Sequence, residues 1–247
     1  MKFCGVSKDV EIDISADMPS FSGLGTSSTF IVGLLNTLYA YQYKRKPSIE
    51  LAYEAINIER NILGEHVGCQ DQVFAAVGGL NVVEFKTTRD IVVNRLVIRP
   101  DRLEEFEDCL VLVFTGAFRR ASEAAKKQIE NIGTNIERLQ RLHKMVYDGY
   151  DVLTGNSGFE EFGVLLDKMW KEKAALEDGV SNGEIDSLYK HGIDSGALGG
   201  KLLGAGGGGF ILFFVPPENR KEFNEKMKVK KLLSVQINAP GSMVVHM

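Results

Sequence analysis

The segment Pro19-Ser20-Phe21-Ser22-Gly23-Leu24-Gly25-Thr26-Ser27-Ser28 sets two spaced glycines directly before three small hydroxyl residues. Upstream, Val10-Glu11-Ile12-Asp13-Ile14 alternates apolar and polar residues, the pattern of a half-buried strand. Downstream, a mostly apolar run to about Tyr43 predicts a largely buried helix, with Thr26, Ser27 and Ser28 where N-cap residues belong. Strand, glycine-bearing loop and buried helix in that order let backbone N–H groups approach an anion, and the helix N-terminus adds about half a positive charge. Phosphate is the natural guest, and a serine hydroxyl there can hold Mg²⁺. The competing reading is a tight structural turn. No lysine follows as in a Walker A loop, and Gly23-x-Gly25-x-x-Ser28 lacks the third glycine of the dinucleotide fingerprint.

Two carboxylates follow. A helix from an N-cap at Ser48 to about Leu63 stops at Gly64. On a wheel of about 100° per residue, Ala52, Ala55, Ile56 and Leu63 gather on one side with Glu59 among them. A carboxylate centred on an apolar face is costly unless paired or bound to a metal. Glu59 therefore reads as functional or ion-bound, with a buried ion pair to an Arg or Lys as the alternative. Gly68-Cys69-Gln70-Asp71 opens a short helix ending at Gly78-Gly79. Asp71 falls in its first turn, where the dipole favours a charged carboxylate and where Asp is also an ordinary residue. Gln70 and Gln72 flank it and can orient a substrate or cap.

Further on, 80–85 and 91–98 read as strands, the charged segment 100–108 as a boundary between halves, and the apolar run 110–114 as a buried strand. A long helix over 121–153 places Ile129, Ile132, Ile136, Leu139, His143, Val146 and Tyr150 on one stripe, taken as a core face with His143 as a packing histidine. Helices over 159–176 and 182–195, a strand over 210–215 stopped by Pro216-Pro217, a charged helix and a strand over 232–237 complete the chain. Eight of the fourteen residues from Gly196 to Gly209 are glycine. So many glycines beside an apolar strand permit close approach of another backbone segment or a ligand. Lys201, within them, can reach a phosphate or be solvated.

The composition narrows the classes. Of 247 residues, 29 are Lys or Arg and 33 are Asp or Glu, a net charge of −4, and 44% are hydrophobic. That excludes a disordered chain and disfavours non-specific nucleic-acid binding. Cys4, Cys69 and Cys109 are isolated, which argues against a disulfide framework or a zinc knuckle and for reduced thiols in a cytoplasm. Asp9, Glu11 and Asp13 interrupt any secretory apolar run, and the apolar stretch near Phe30 to Tyr41 falls short of the roughly 20 residues of a membrane span.

Together these segments resemble the superfamily of galactokinase, homoserine kinase, mevalonate kinase and phosphomevalonate kinase. Its ATP loop, Pro-x-Gly-x-Gly-Leu-Gly-Ser-Ser-Ala, is matched by Pro19 to Ser28, with Phe21 where the family has Gly. Its C-terminal glycine motif is matched by Leu203 to Gly209. Its metal-binding Glu stands twelve residues before the active-site Asp, as Glu59 does before Asp71 (71 − 59 = 12). Within the superfamily the chain is most similar to D-glycero-D-manno-heptose 7-phosphate kinases and their fucokinase relatives. That likeness rests on residues 13–19, 67–72, 78–81, Thr115-Gly116 with Arg119-x-Ala121-Ser122, and 196–204.

The resemblance implies an α+β fold in two lobes: an N-terminal ATP-binding lobe over 1–105, ribosomal protein S5 domain 2-like and truncated, and a ferredoxin-like C-terminal lobe over 106–247. Family members carry further strands, a sugar-binding motif and part of the adenine pocket ahead of the position of Val10. It also implies phosphoryl transfer from ATP with Mg²⁺. Gly23, Leu24, Gly25, Thr26, Ser27 and Ser28 would cradle the phosphates, Ser27 and Glu59 would hold Mg²⁺, and Asp71 would accept or orient the acceptor proton. Gln70, Arg119, Lys201, Gly206 and Gly207 are the candidate substrate contacts. In the heptose branch the acceptor is the anomeric hydroxyl of a heptose 7-phosphate. The implied partner is a small-molecule sugar phosphate in the cytoplasm, with neither nucleic acid nor membrane, and with a homodimer or a separate N-terminal chain to complete the first lobe. A fucokinase-like or other sugar 1-kinase is one alternative. The other is a non-catalytic protein that keeps the fold and binds nucleotide or a partner chain through an exposed edge.

Overall fold

In the computed structural model, residues 1–6, 10–19, 22–87, 90–118 and 121–245 are described, residues 121–124 without their side chains. Helices α1 (Thr26–Tyr41), α2 (Ser48–Asn57) and α3 (Gln70–Val77) fold against one another. The antiparallel pair β1 (Asn81–Thr87) and β2 (Asp90–Arg95) covers one side of them. Val32, Leu35, Leu51, Ala52, Ala55 and Val73 form the centre of this first core.

The strand expected over 10–14 does not form. Among the described residues no segment hydrogen-bonds alongside it, and Ile14 is 65% exposed. Alternation sets which face a strand buries, but the ladder needs a neighbour.

The second half begins with α4 (Pro100–Asp108), Pro100 opening its first turn. The sequence suggested a boundary at this charged segment. It is a helix because its apolar Phe106 reaches a core with Leu110, Leu153 and Phe214. Strand β3 (Leu110–Phe114) then runs centrally in a four-stranded antiparallel sheet with β4 (Gly199–Leu202), β5 (Phe210–Phe214) and β6 (Leu232–Ser234), in the order β4-β5-β3-β6. With helices between β3 and β4 and one between β5 and β6, this is the βαββαβ arrangement of a ferredoxin-like lobe. Both sheet faces are buried: Val111, Val113, Ile211 and Phe213 on one, Leu110 and Phe214 on the other. That is why β3 and β5 read as unbroken apolar runs.

Between β3 and β4 lie α5 (Ala121–Glu130), α6 (Ile136–Thr154), α7 (Glu160–Ala174) and α8 (Gly183–Asp194), and between β5 and β6 lies α9 (Arg220–Met227). The single helix expected over 121–153 is broken by a short 3₁₀ turn at Gly133–Asn135. The stripe assigned to it is not a core face: Ile129, Ile132, Ile136, Leu139, Val146 and Tyr150 are exposed, and so is His143, whose ring meets Tyr147 edge-on at 5.4 Å. α6 turns Leu142, Met145, Gly149 and Leu153 inward instead. Gly149 is the point of contact with α7, where even a methyl group would meet Leu165 at 3.4 Å. The chain end returns to the first half: Gly79 N–H donates to Ala239 O at 2.8 Å and Ser242 N–H to Ala75 O at 2.9 Å.

Candidate functional site

Gly25, with φ of +71°, is the N-cap residue of α1, so Thr26, Ser27 and Ser28 lie in the first turn rather than at the cap expected for them. A side chain at Gly25 would be strained, and a Cβ there would approach Asp71 Cγ to 3.1 Å. No side chain caps α1, which leaves its first N–H groups to an incoming acceptor. The serine hydroxyls turn elsewhere. Ser27 Oγ donates to Glu59 Oε1 at 3.1 Å and Ser28 Oγ to Glu59 Oε2 at 2.8 Å. Gln72 Nε2 also donates to Oε2, while its own Oε1 is buried without a partner.

Glu59 sits in a single π-helical turn, Ile58–Ile62, that continues α2. The turn rotates the face, so Leu63 leaves the apolar side and is 59% exposed while Glu59 is 1% exposed. Such insertions recur at functional sites. Of the two sequence readings for Glu59, the buried ion pair is not what forms: among the described residues no Lys or Arg pairs with it. A carboxylate has about four lone-pair sites, and three donors leave one open. A buried, cation-free carboxylate beside a serine hydroxyl suits a Mg²⁺ that draws its other ligands from water and phosphate. Among the described residues no group of three metal-ligating side chains gathers, so these residues supply no closed cage.

Asp71, in the first turn of α3, borders a cavity of about 520 Å³ that is lined also by Gly25, Phe74, Pro240, Gly241 and Met243. Burial pushes its carboxyl above the ordinary value; the Gln70 side chain opposes this, the Glu59 charge adds to it and the Lys173 ammonium opposes it. A carboxylate moved towards neutral pH is better matched to proton transfer.

The glycine-rich turn closes over the loop from the other half. A Cβ at Gly204, where φ is +67°, would lie 2.9 Å from Gly23 Cα, so neither residue tolerates bulk. Gly209 seats in the same way on Ser22 O. Gly206 and Gly207 meet the backbone of Val180, Gly207 N–H donating to Val180 O at 3.0 Å. Lys201 is half-buried and burial lowers its ammonium from the ordinary value. Gln70 is exposed beside Asp71. Arg119, and Phe21 of the loop, lie outside the described residues.

Sequence reasoning missed Lys173. From the end of α7 it donates to Leu202 O at 2.9 Å and to Gly204 O. Burial pulls its ammonium down to about 7, Lys201 adding to the fall and Asp71 opposing it. Nothing local distinguishes it from the other lysines of this helix. The contact of Gln72 with Glu59 and the returning tail at Pro240–Met243 were missed as well, because only tertiary contacts bring them in.

Residues 1–79 match the GHMP kinases N terminal domain and residues 153–230 the GHMP kinases C terminal domain. A D-glycero-alpha-D-manno-heptose 7-phosphate kinase of Campylobacter jejuni is 35% identical over 207 residues, covering 83% of this chain and 61% of that protein. An L-fucokinase/L-fucose-1-P guanylyltransferase of Bacteroides fragilis is 26% identical over 96% of this chain and 25% of its own length. The crystal structure of a D-glycero-D-manno-heptose 1-phosphate kinase from Bacteroides thetaiotaomicron superposes with a TM-score of 0.65 at 28% identity, covering 91% of this chain and 64% of that one. The chain thus spans less than two thirds of the length of these relatives. With the N-terminal and C-terminal domains of one family matched in order over residues 1–79 and 153–230, the chain belongs to the GHMP kinases.

Proposed function

We propose that this chain carries ATP- and Mg²⁺-dependent phosphoryl transfer to a sugar or sugar phosphate, the anomeric hydroxyl of D-glycero-D-manno-heptose 7-phosphate being the favoured acceptor. One observation carries the reading: the Asp71 carboxylate lies directly against Gly25 of the phosphate loop, with a cavity on its open side. The 35% identical relative named for this heptose supports the choice of acceptor.

In this reading Gly23 to Ser28 and the free N–H groups of α1 cradle the phosphates. Ser27 and Glu59 hold Mg²⁺, which when bound neutralises phosphate charge. Gln70 and Asp71 orient the acceptor hydroxyl, and Asp71 takes its proton. Gly206 and Gly207 are proposed to border the substrate, and Lys201 to meet a substrate phosphate. Positioning and charge neutralisation carry most of the catalysis. The division into lobes at 105/106 and the cytoplasmic setting belong to the same proposal. Among the described residues no helix is long and apolar enough to cross a membrane.

The test is incubation of the chain with ATP, Mg²⁺ and heptose 7-phosphate, fucose, mannose or galactose, with Asp71→Asn as control. Transfer to the heptose phosphate, reduced roughly 10²–10⁴-fold in Asp71→Asn, is the expected result. Transfer that survives the substitution removes Asp71 from the chemistry. Transfer to fucose alone makes the chain a fucokinase-like enzyme. A second reading, a non-catalytic nucleotide- or partner-binding protein, is favoured by the unpaired, apolar segment at Ile12 and Ile14. ATP binding without transfer to any acceptor selects it.

A further inference from the structure

Lys173 and Lys201 bring two ammonium groups together under the glycine-rich turn. Lys173 reaches from the last turn of α7, Lys201 from β4. Lys173 Nζ bonds the carbonyl of Leu202, the residue next to Lys201, at 2.9 Å; the Lys201 charge acts on it there, and burial disfavours both charges. Among the described residues neither has a carboxylate within ion-pair distance. An ammonium has three N–H donors. Lys173 uses two, on Leu202 O and Gly204 O, which leaves one. Among the described residues the Lys201 ammonium makes no hydrogen bond to the protein.

Two cations drawn partly out of water and left unneutralised are costly, and an anion between them removes the cost. Their position selects the anion. Lys173 holds Gly204, which rests on Gly23 of the phosphate loop, and the carboxylate whose charge Lys173 feels is Asp71, itself against Gly25. Both contacts converge on the loop that faces the donor phosphates. The acceptor's own phosphate lies at the opposite end of a seven-carbon sugar from the reacting hydroxyl, so the two anions are separable by experiment.

We propose that Lys173 and Lys201 form an anion subsite beside Asp71 that receives the phosphoryl group in transit. The identity of that anion rests on the kinase reading above. In the step itself, the bond from the γ-phosphorus to the bridging oxygen of ADP breaks and a bond from the acceptor oxygen to that phosphorus forms. The hydroxyl proton passes to Asp71, and ADP leaves with the bridging-oxygen electrons. Charge spreads over the three peripheral oxygens of the moving group, and fixed cations aimed at them stabilise it where it develops.

The probe is sulfate, a tetrahedral dianion that does not titrate near neutral pH, read as a shift in thermal unfolding against sodium chloride of equal ionic strength. The full chain should be stabilised by sulfate. Lys201→Met breaks no hydrogen bond of the fold and should abolish that shift; Lys173→Met should do the same, and Lys173→Arg should restore part of it. Should Lys173→Met not fold, Lys201→Met carries the test alone. A sulfate shift unchanged in Lys201→Met, or absent from the wild-type chain, overturns the subsite.

Transfer kinetics run in parallel identify the anion. A fall in kcat of about 10²-fold or more in Lys201→Met, with KM for the acceptor little changed, supports the moving phosphoryl group. An unchanged kcat with a raised acceptor KM overturns that identity in favour of the acceptor's own phosphate. A chain that binds sulfate through these lysines yet transfers nothing overturns the kinase reading and the identity of the anion, while supporting the two-lysine site.

Discussion

Replacing Glu59 separates its part in the fold from the metal binding proposed for it. Glu59→Ala removes the acceptor of Ser28 Oγ and Gln72 Nε2, both on residues under 5% exposed, and of Ser27 Oγ on an exposed residue. Each buried donor left without a partner costs about 1–3 kcal/mol. Two such donors give about 2–6 kcal/mol, offset in part because a buried charge without a cation is also removed. A net loss of about 2–4 kcal/mol is expected, and for a chain of this size that lowers Tm by roughly 5–15 °C.

Glu59→Gln should behave otherwise. Gln72 Oε1 is buried with no partner. Turning the Gln72 amide over presents that oxygen to the new NH₂ group, while the remaining oxygen at position 59 still accepts from Ser27 and the Ser28 hydroxyl rotates to accept. The change in stability is expected below about 1 kcal/mol. Both variants lose the charge, so Mg²⁺-dependent transfer should fall in both, by at least the roughly 10–100-fold that accompanies loss of a ligand's supporting partner. Thermal unfolding and initial rates across a Mg²⁺ titration decide it. A Glu59→Gln chain as unstable as Glu59→Ala shows that the charge itself holds the fold, against the hydrogen-bond account. One that keeps Mg²⁺-dependent transfer within about threefold refutes the assignment of Glu59 as a ligand.

Gly204→Ala places a methyl group against Gly23 Cα at φ of +67°; a loss of about 1–3 kcal/mol and weaker ATP binding are expected, measured by denaturant titration and calorimetry. Lys173 is held near 7 in the fold against 10.5 as an ordinary lysine, so between those values the unfolded chain binds more protons and stability rises with pH. One such proton contributes at most about 1.4 kcal/mol per pH unit. Lys173→Met should therefore flatten the rise in urea midpoint between pH 7.5 and 9, and an unchanged slope shows that its ammonium is not depressed. Ile136→Ser and Val146→Ser, on the exposed stripe of α6, should change stability by no more than about 0.5 kcal/mol, whereas Gly149→Val, facing Leu165, should cost about 1–3 kcal/mol. The reverse ranking would restore the stripe as a core face.

The loop from Gly23 to Ser28, Glu59 and Asp71 were legible because their signals are local: a glycine spacing, a carboxylate among alanines, an acid in a first helical turn. What was lost is tertiary in origin. The alternation at Val10–Ile14 is the pattern of a strand, yet a ladder forms only beside a partner. The stripe on α6 was read in the wrong phase because aliphatic side chains outweigh glycine in such a reading, whereas the close helix–helix contact selects the face bearing Gly149. Strand β4 was hidden because Gly199-Gly200 carries no β propensity; it forms because Gly199 allows α7 to pass at contact distance. The hydroxyls of Ser27 and Ser28 looked like caps, and Glu59 outcompetes the helix end for both of them.

The site divides its charges between the two halves. Glu59 and Asp71 belong to the helices of the first core; Lys173 and Lys201 stand on α7 and β4 around the second. The acids and the cations do not neutralise each other in ion pairs, although Lys173 and Asp71 feel one another's charge. Collapsed into pairs, the four groups would gain Coulomb energy and close the site. What keeps them apart is backbone: Gly204 rests on Gly23 and Gly209 on Ser22, and no side chain intervenes to be compressed or rotated away. Close packing of that kind does not deform continuously. The gap is therefore a fixed feature of how the halves meet, and in the proposed kinase reading a phosphoryl group with Mg²⁺ on its acidic side and the lysines on the other would have the charge distribution to fill it.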